Sequence, residues 1–387
     1  MASHPARKRI WTPVIDQSAD SFWLLLITAM SVTVLVTRIF LDLAGYPQIG
    51  DSTYHIAHVL WGGLLLFVAV TLPLSTANRY ALWVSALLGG VGVGLFIDEV
   101  GKFITQSNDY FFPLAIPIIY SFILVCVWLF YRIRRRKPRD ARTLLYHALE
   151  DMKQVLDNDL DPFEHRELVS ELQQVLKETH DPNELRLAQS LLDFVQSRDV
   201  RLAIQPNPLE RMLNHMRHWL AGWPPQLILK GILVVGFGFM AFQALATLLQ
   251  LVAATQQEGE LYAIFASYTV VSGKSEYTVS HPILLLLTTF SVIGVGLLAL
   301  VAMLLLLAGR DHVGVRIGVL GLVIALSIVN LFTFYFNQLA AATEAVMQVA
   351  LLGVATLYRW RFLAPSPALS ELSNQERRDE ESSLLHH

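Results

Sequence analysis

Eight apolar runs, each close to the roughly 20 residues that carry a helix across a bilayer, constrain this chain more than any other feature. They fall near residues 22–41, 54–74, 80–98, 113–131, 227–254, 282–308, 316–336 and 340–358. Backbone in hydrocarbon must satisfy its own N–H and C=O groups, which an α-helix does within each segment. The expected fold class is all-α, a polytopic α-helical membrane protein with about eight transmembrane helices. Composition agrees: 54% of the 387 residues are hydrophobic and 16% charged, a balance that soluble domains do not carry.

Charge placement sets the expected topology. Arg7, Lys8 and Arg9 precede the first run, as they would in a signal peptide. That run is long, is followed by Arg38 and Asp42 and closes on no small-x-small site, so it reads as an uncleaved first span. Basic residues favour the cytoplasmic side of short connecting segments. Arg79, the run RIRRRKPR at 132–139, Lys230, Arg310, Arg316, Arg359 and Arg361 all fall on one side of an eight-span arrangement, and both termini are then cytoplasmic. The opposite loops, 42–53, 99–112, 255–281 and 337–339, hold only Lys102 and Lys274. Within 255–281 the piece LYAIFASYTVV is too short to span and is expected to lie at the interface or to re-enter. The lone Cys126 sits in an apolar run, which excludes an intramolecular disulfide and a redox pair.

The domain plan follows: a cytoplasmic tail over 1–21, a four-span half over 22–131, a cytoplasmic α-helical domain over 132–223, a second four-span half over 224–360 and a disordered cytoplasmic tail over 361–387. The soluble segment has a legible grammar. Asp161-Pro162-Phe163-Glu164, Asp181-Pro182-Asn183-Glu184 and Asn207-Pro208-Leu209-Glu210 each join an acceptor, a first-turn proline and a capping-box glutamate. Apolar residues then recur at helical spacing, as in Leu168, Leu172, Val175 and Leu176. A further helix near 140–157 carries Leu145, Ala148, Leu149, Met152, Val155 and Leu156, and is expected to continue from the fourth span. Fifteen acidic against ten basic residues over 139–223 argue against nucleic-acid binding, and the bundle reads as a surface for a protein partner. His215 and His218 share one helical face beside Arg211, Arg217 and Trp219, a pattern suited to a membrane interface.

Ionisable residues cost most inside a bilayer, and here they gather at one boundary. His55 and His58 begin the second span, while Asp98 and Glu99 end the third, which runs antiparallel to it. Candidate catalytic residues are Glu99, His58 and His55, with Glu99 as a general base whose pKa partial burial would raise. Asp98 lies four residues before Lys102, the order of a helical ion pair, which leaves Glu99 as the freer acid. Arg38, Lys102, Asn108 and Asp109 are candidate substrate-binding residues, with the Arg38 guanidinium suited to a phosphate or anionic head group. His55, His58 and Asp98 could together hold a divalent metal such as zinc, the two-histidine, one-carboxylate set of some hydrolytic sites. Gly90 with Gly94, facing Gly62 and Gly63, is expected to bring the histidine helix against the carboxylate helix. Asn330, Asn337, Gln338 and Glu344 form a smaller polar patch at the same boundary in the second half.

The segment His58-Val59-Leu60-Trp61-Gly62-Gly63, and the span ending Gly94-Leu95-Phe96-Ile97-Asp98-Glu99, resemble the pattern of VanZ-like bacterial multi-pass membrane proteins. The resemblance covers about residues 51–110, and Lys102 and Asn108-Asp109 stand where that family usually has an arginine and a later asparagine. It implies a bacterial envelope setting, in the cytoplasmic membrane, rather than a reaction. Three classes of function stay open: an assembly or signalling protein with a partner-binding helical domain, an enzyme acting on a lipid or envelope precursor through the His/Asp/Glu site, and a proton-coupled transporter.

Overall fold

The computed structural model describes residues 13–44, 57–106, 109–110, 112–135, 140–158, 160–197, 224–255, 268–272, 275–279, 282–336 and 338–363. Among the described residues, eight helices are long and apolar enough to cross a membrane. The chain divides into two compact units, Met1–Met216 and Arg217–His387.

In the first unit, helices α1 (Ala19–Leu43), α2 (His58–Ser75), α3 (Arg79–Asp98), the short α4 (Val100–Ile104) and α5 (Ala115–Arg135) form a membrane half. Outward-facing Leu64, Phe67, Val70 and Val125 are exposed, as lipid contact requires. Helix α3 is central because its glycines remove side chains from two faces. A Cβ at Gly92 would lie 2.9 Å from Gly62 O, and one at Gly62 would lie 2.8 Å from Gly92 O, so α2 and α3 meet backbone to backbone. Gly90 and Gly94 instead face α1, where a Cβ would meet Leu26 O at 2.5 Å and Met30 O at 2.9 Å. This corrects the expected pairing of Gly90 and Gly94 with α2. Two residues along a helix turn the side-chain direction by about 200°, so Gly92 and the pair Gly90/Gly94 serve opposite neighbours. Nothing lies within 4 Å of a Cβ at Gly63.

Three further helices, α6 (Ala141–Asp157), α7 (Pro162–Glu178) and α8 (Pro182–Val195), make a bundle of their own. Asp140 caps α6 by accepting from Thr143 N at 3.3 Å, so α6 starts afresh rather than continuing α5. At α7 the capping box is reciprocal: Glu164 N donates to Asp161 Oδ1 at 2.8 Å and Asp161 N to Glu164 Oε2 at 3.2 Å. At α8 Asp181 accepts from Asn183 N, but Glu184 takes the Thr179 hydroxyl instead of reaching back. Leu144, Leu145, Ala148, Leu160, Leu168, Leu172, Val175, Ala188, Leu192 and Val195 form its core. Leu149 and Leu156, expected on the buried face, are exposed. The helix expected from Asn207, with His215 and His218, lies outside the described residues.

The bundle docks on the α2–α3 end of the membrane half through polar contacts. Arg79 Nη1 lies 3.8 Å from Asp151 Oδ1 and Asn78 Nδ2 donates to Asp157 Oδ2 at 3.2 Å. His147 Nε2 lies 3.1 Å from Ile15 O.

The second unit comprises α9 (Gln226–Thr255), a β-hairpin (β1, Tyr268–Ser272; β2, Ser275–Val279), α10 (Pro282–Leu307), α11 (Asp311–Ile324), a π-turn (Ala325–Val329), α12 (Asn330–Phe336), α13 (Gln338–Tyr358) and a terminal π-turn (Arg359–Leu363). The two strands pair antiparallel in register Tyr268↔Val279 to Ser272↔Ser275, and the rest of the piece LYAIFASYTVV lies outside the described residues. Tyr, Thr and Val favour strands. Leu233, Phe237, Ala302, Leu306, Val315, Leu322 and Ala355 centre the core. Lys230 Nζ donates to Asp311 Oδ1 at 2.7 Å, and Tyr358 donates to the other Asp311 oxygen.

Asp151, 7% exposed, is the most tightly enclosed acid of the bundle. Burial first, with the charges of Glu171 and Glu167, raises its pKa to about 6 against the opposing pull of Arg79 and His147. An acid whose folded-state pKa is raised favours folding below its unfolded value and loses that contribution as pH rises through about 6. Asp151→Asn is expected to stabilise the full chain by about 3 kcal/mol at pH 7.5, at 1.36 kcal/mol per pKa unit, and to have little effect near pH 4. Thermal unfolding in detergent across that pH range measures it; a destabilising substitution at pH 7.5 would contradict the assignment.

Candidate functional site

The polar cluster forms where α3 ends. The helix carries Asp98 to its last position, where Asp98 is fully buried. Glu99 then leaves the helical path at φ −88° and ψ 10°, between α3 and α4. That break lets two adjacent acids reach one histidine, which the 100° spacing of a continuous helix would forbid. His58, first residue of α2, sets Nε2 at 3.2 Å from Asp98 Oδ2 and Nδ1 at 3.0 Å from Glu99 Oε1.

Arg38 arrives from α1. Its Nε donates to Asp98 Oδ1 at 2.7 Å and its Nη2 to the Asp98 carbonyl oxygen at 3.2 Å. Lys102 pairs with Glu99 Oε1 at 3.2 Å. The expected Asp98–Lys102 pair is therefore corrected: the break at Glu99 resets the register, Lys102 serves Glu99, and Asp98 takes Arg38. Glu99 is not the freer acid. Burial alone would raise its pKa, but the hydrogen bond and charge of His58, with Lys102, outweigh burial and hold it below the ordinary value.

Tyr110 is the partner that sequence reasoning missed. Its hydroxyl donates to Asp98 Oδ2 at 2.6 Å. Arg38 Cζ stands 4.7 Å and Lys102 Nζ 5.5 Å from its ring centroid, within cation–π range. Gly101 makes the approach possible, because a Cβ there would lie 2.7 Å from Asp109 O and 3.0 Å from Tyr110 O. Thr105 fastens the return, donating to Gly101 O at 2.8 Å and accepting from Asp109 N at 2.7 Å. The signal available in sequence was a glycine in α4 followed by an aromatic at a membrane boundary. No spacing rule links that aromatic to an acid twelve residues earlier.

Of the other expected residues, Asp109 takes part through its backbone in this return, and His55 and Asn108 lie outside the described residues. Helix α2 starts at His58. Among the described residues no three His, Cys, Asp or Glu side chains are arranged to hold a metal. His58 turns its two nitrogens to different carboxylates, so these groups face one another rather than a common point.

The arrangement is layered. The side chains of Asp98 and Glu99 are 0% and 2% exposed, whereas those of Arg38, His58 and Lys102 are 18%, 23% and 24% exposed. Arg38 and Lys102, with His58 between the two carboxylates, lie over the buried anions, and among the described residues His58 Nε2 has no hydrogen-bond partner. Such a surface is chemically suited to receive an anion. Comparison with protein-family models, curated proteins and solved structures finds no match to this chain.

Tyr110→Phe should lower the stability of the full chain by about 1–3 kcal/mol, since it removes a donor from a buried carboxylate. Tyr80→Phe, at an exposed tyrosine, is the matched control and should be neutral. Unfolding of both variants in detergent decides the point; equal effects would remove Tyr110 from the network.

Proposed function

We propose that this chain is an integral membrane protein of the bacterial envelope with an assembly or signalling role, in which anionic head groups at the extracytoplasmic boundary bias a cytoplasmic partner-binding bundle. One observation carries the reading. Helix α3 holds the bundle contact Arg79–Asp151 at its first residue and the Asp98 network at its last. Twenty helical residues at 1.5 Å each make a rod of about 30 Å, the thickness of the hydrocarbon core. Anything that shifts Asp98 along or around that rod also acts on Arg79.

The positive-inside pattern and the VanZ-like resemblance of 51–110 support the envelope setting and the orientation with both termini cytoplasmic. The half-buried cationic layer supports recognition of a phosphate-bearing head group, to which Arg38 and Lys102 would donate. His58 Nδ1 and Glu99 are engaged with each other.

The test uses the full chain in nanodiscs of phosphatidylglycerol or of phosphatidylcholine. Hydrogen exchange in α6, around Asp151, should slow about fivefold in the anionic lipid. The response should vanish in Arg38→Gln with Lys102→Gln, and also in Arg79→Ala, which leaves the head-group site intact. Exchange that ignores the lipid, or an Arg79→Ala variant that still responds, would overturn the reading.

A further inference from the structure

A second set of buried polar groups lies in the other unit. Glu344 and Gln348 are one turn apart on the face of α13 that also carries the buried Ala341, Leu351, Ala355 and Tyr358. Asn330, 1% exposed, opens α12 immediately after the π-turn Ala325–Val329. Along α11 the buried positions run Val315, Leu322, Ala325, Val329, and then resume at Asn330 and Phe334. The π-turn advances the buried stripe by one residue, about 100° of rotation, and so aims Asn330 into the helices instead of lipid.

Asn330 Nδ2 donates to Gln348 Oε1 at 2.9 Å, and Gln243 Nε2 from α9 donates to Glu344 Oε1 at 3.0 Å. Asn330 Oδ1 is buried without a hydrogen-bond partner. No Lys, Arg or His among the described residues pairs with Glu344. Gln338 Nε2 is also buried and unpartnered, and turning that amide over would present its oxygen instead. Asn330 stands seven residues before position 337 and Gln348 eleven after it, about 10 and 16 Å along their helices at roughly 1.5 Å per residue.

The inventory selects the ligand. A carboxylate and two amide oxygens, with no thiolate or imidazole beside them, are hard donors suited to an alkali or alkaline-earth ion rather than a transition metal. A single carboxylate balances a single positive charge. Buried amide oxygen and an intramembrane acid without a cation are each costly alone, and a bound cation satisfies both. We propose that Glu344, Gln348 and Asn330 bind one sodium ion within the second membrane half, water completing its shell.

The experiment is saturation binding of radioactive sodium to the full chain in detergent, at ionic strength held constant with choline chloride, beside thermal unfolding over the same series. Wild type should bind saturably and melt several degrees higher in sodium than in choline. Glu344→Gln should lose both effects, and Asn330→Ala should weaken binding at least about tenfold. Gln348→Leu gives an independent loss if Glu344→Gln fails to fold, while Arg38→Gln, in the other unit, should bind as wild type does. Absence of saturable binding, binding that survives Glu344→Gln and Gln348→Leu, or a melting point that follows pH but not sodium, would each overturn the proposal.

Discussion

A carboxylate with no exposed surface at the end of a membrane helix is tolerable only when cations and hydroxyls are brought to it, and much of the first unit's architecture does that for Asp98. Removing one partner from a buried ion pair costs about 3–5 kcal/mol, far more than an exposed pair contributes. Three segments distant in sequence meet this demand: α1 with Arg38, α2 with His58 and the return after α4 with Tyr110. Each arrives because glycine lets backbones close up. Gly90 and Gly94 admit α1, Gly62 with Gly92 admits α2, and Gly101 admits the 109–110 return. Packing and electrostatics are one argument here, since a larger side chain at any of these positions would leave the acid short of a partner.

The same helix gives the first unit its direction. One end is held by ions at Asp98 and the other by Arg79 beside Asp151, so a rigid rod joins a cationic surface to a helical bundle. The second unit is built differently. Its ion pair, Lys230 with Asp311, sits at one end of α9, while Gln243, Glu344, Gln348 and Asn330 lie along the interior faces of α9, α12 and α13. The first unit neutralises its buried acids with side chains, and the second leaves one acid among amides.

Hydropathy made the eight spans legible because the period and length of apolar runs are properties of each segment alone. Capping chemistry likewise located α7 and α8 to within a residue, since Asp161 and Asp181 act on amides two or three positions away. Arg38, His58, Asp98, Glu99 and Lys102 were identifiable as a group because charge is rare in membrane segments. Who pairs with whom was not. Pairing turned on the break at Glu99, a backbone event with no marker in composition, and it exchanged the partners of Asp98 and Lys102. Tyr110 was invisible for a related reason, its approach depending on a chain reversal over Gly101. The π-turn before Asn330 also left no trace, because inserting one residue into an apolar run does not change its hydropathy.

If Asp98 is the anchor of the first unit, Arg38 and Asp98 must be energetically coupled. A double-mutant cycle with Arg38→Gln and Asp98→Asn, read from unfolding of the full chain in detergent, measures that coupling. Contacting, desolvated partners should give an interaction energy of at least about 1.5 kcal/mol, with Arg38→Gln far less harmful once Asp98 is already asparagine. Additive losses, with a coupling near zero, would contradict the account.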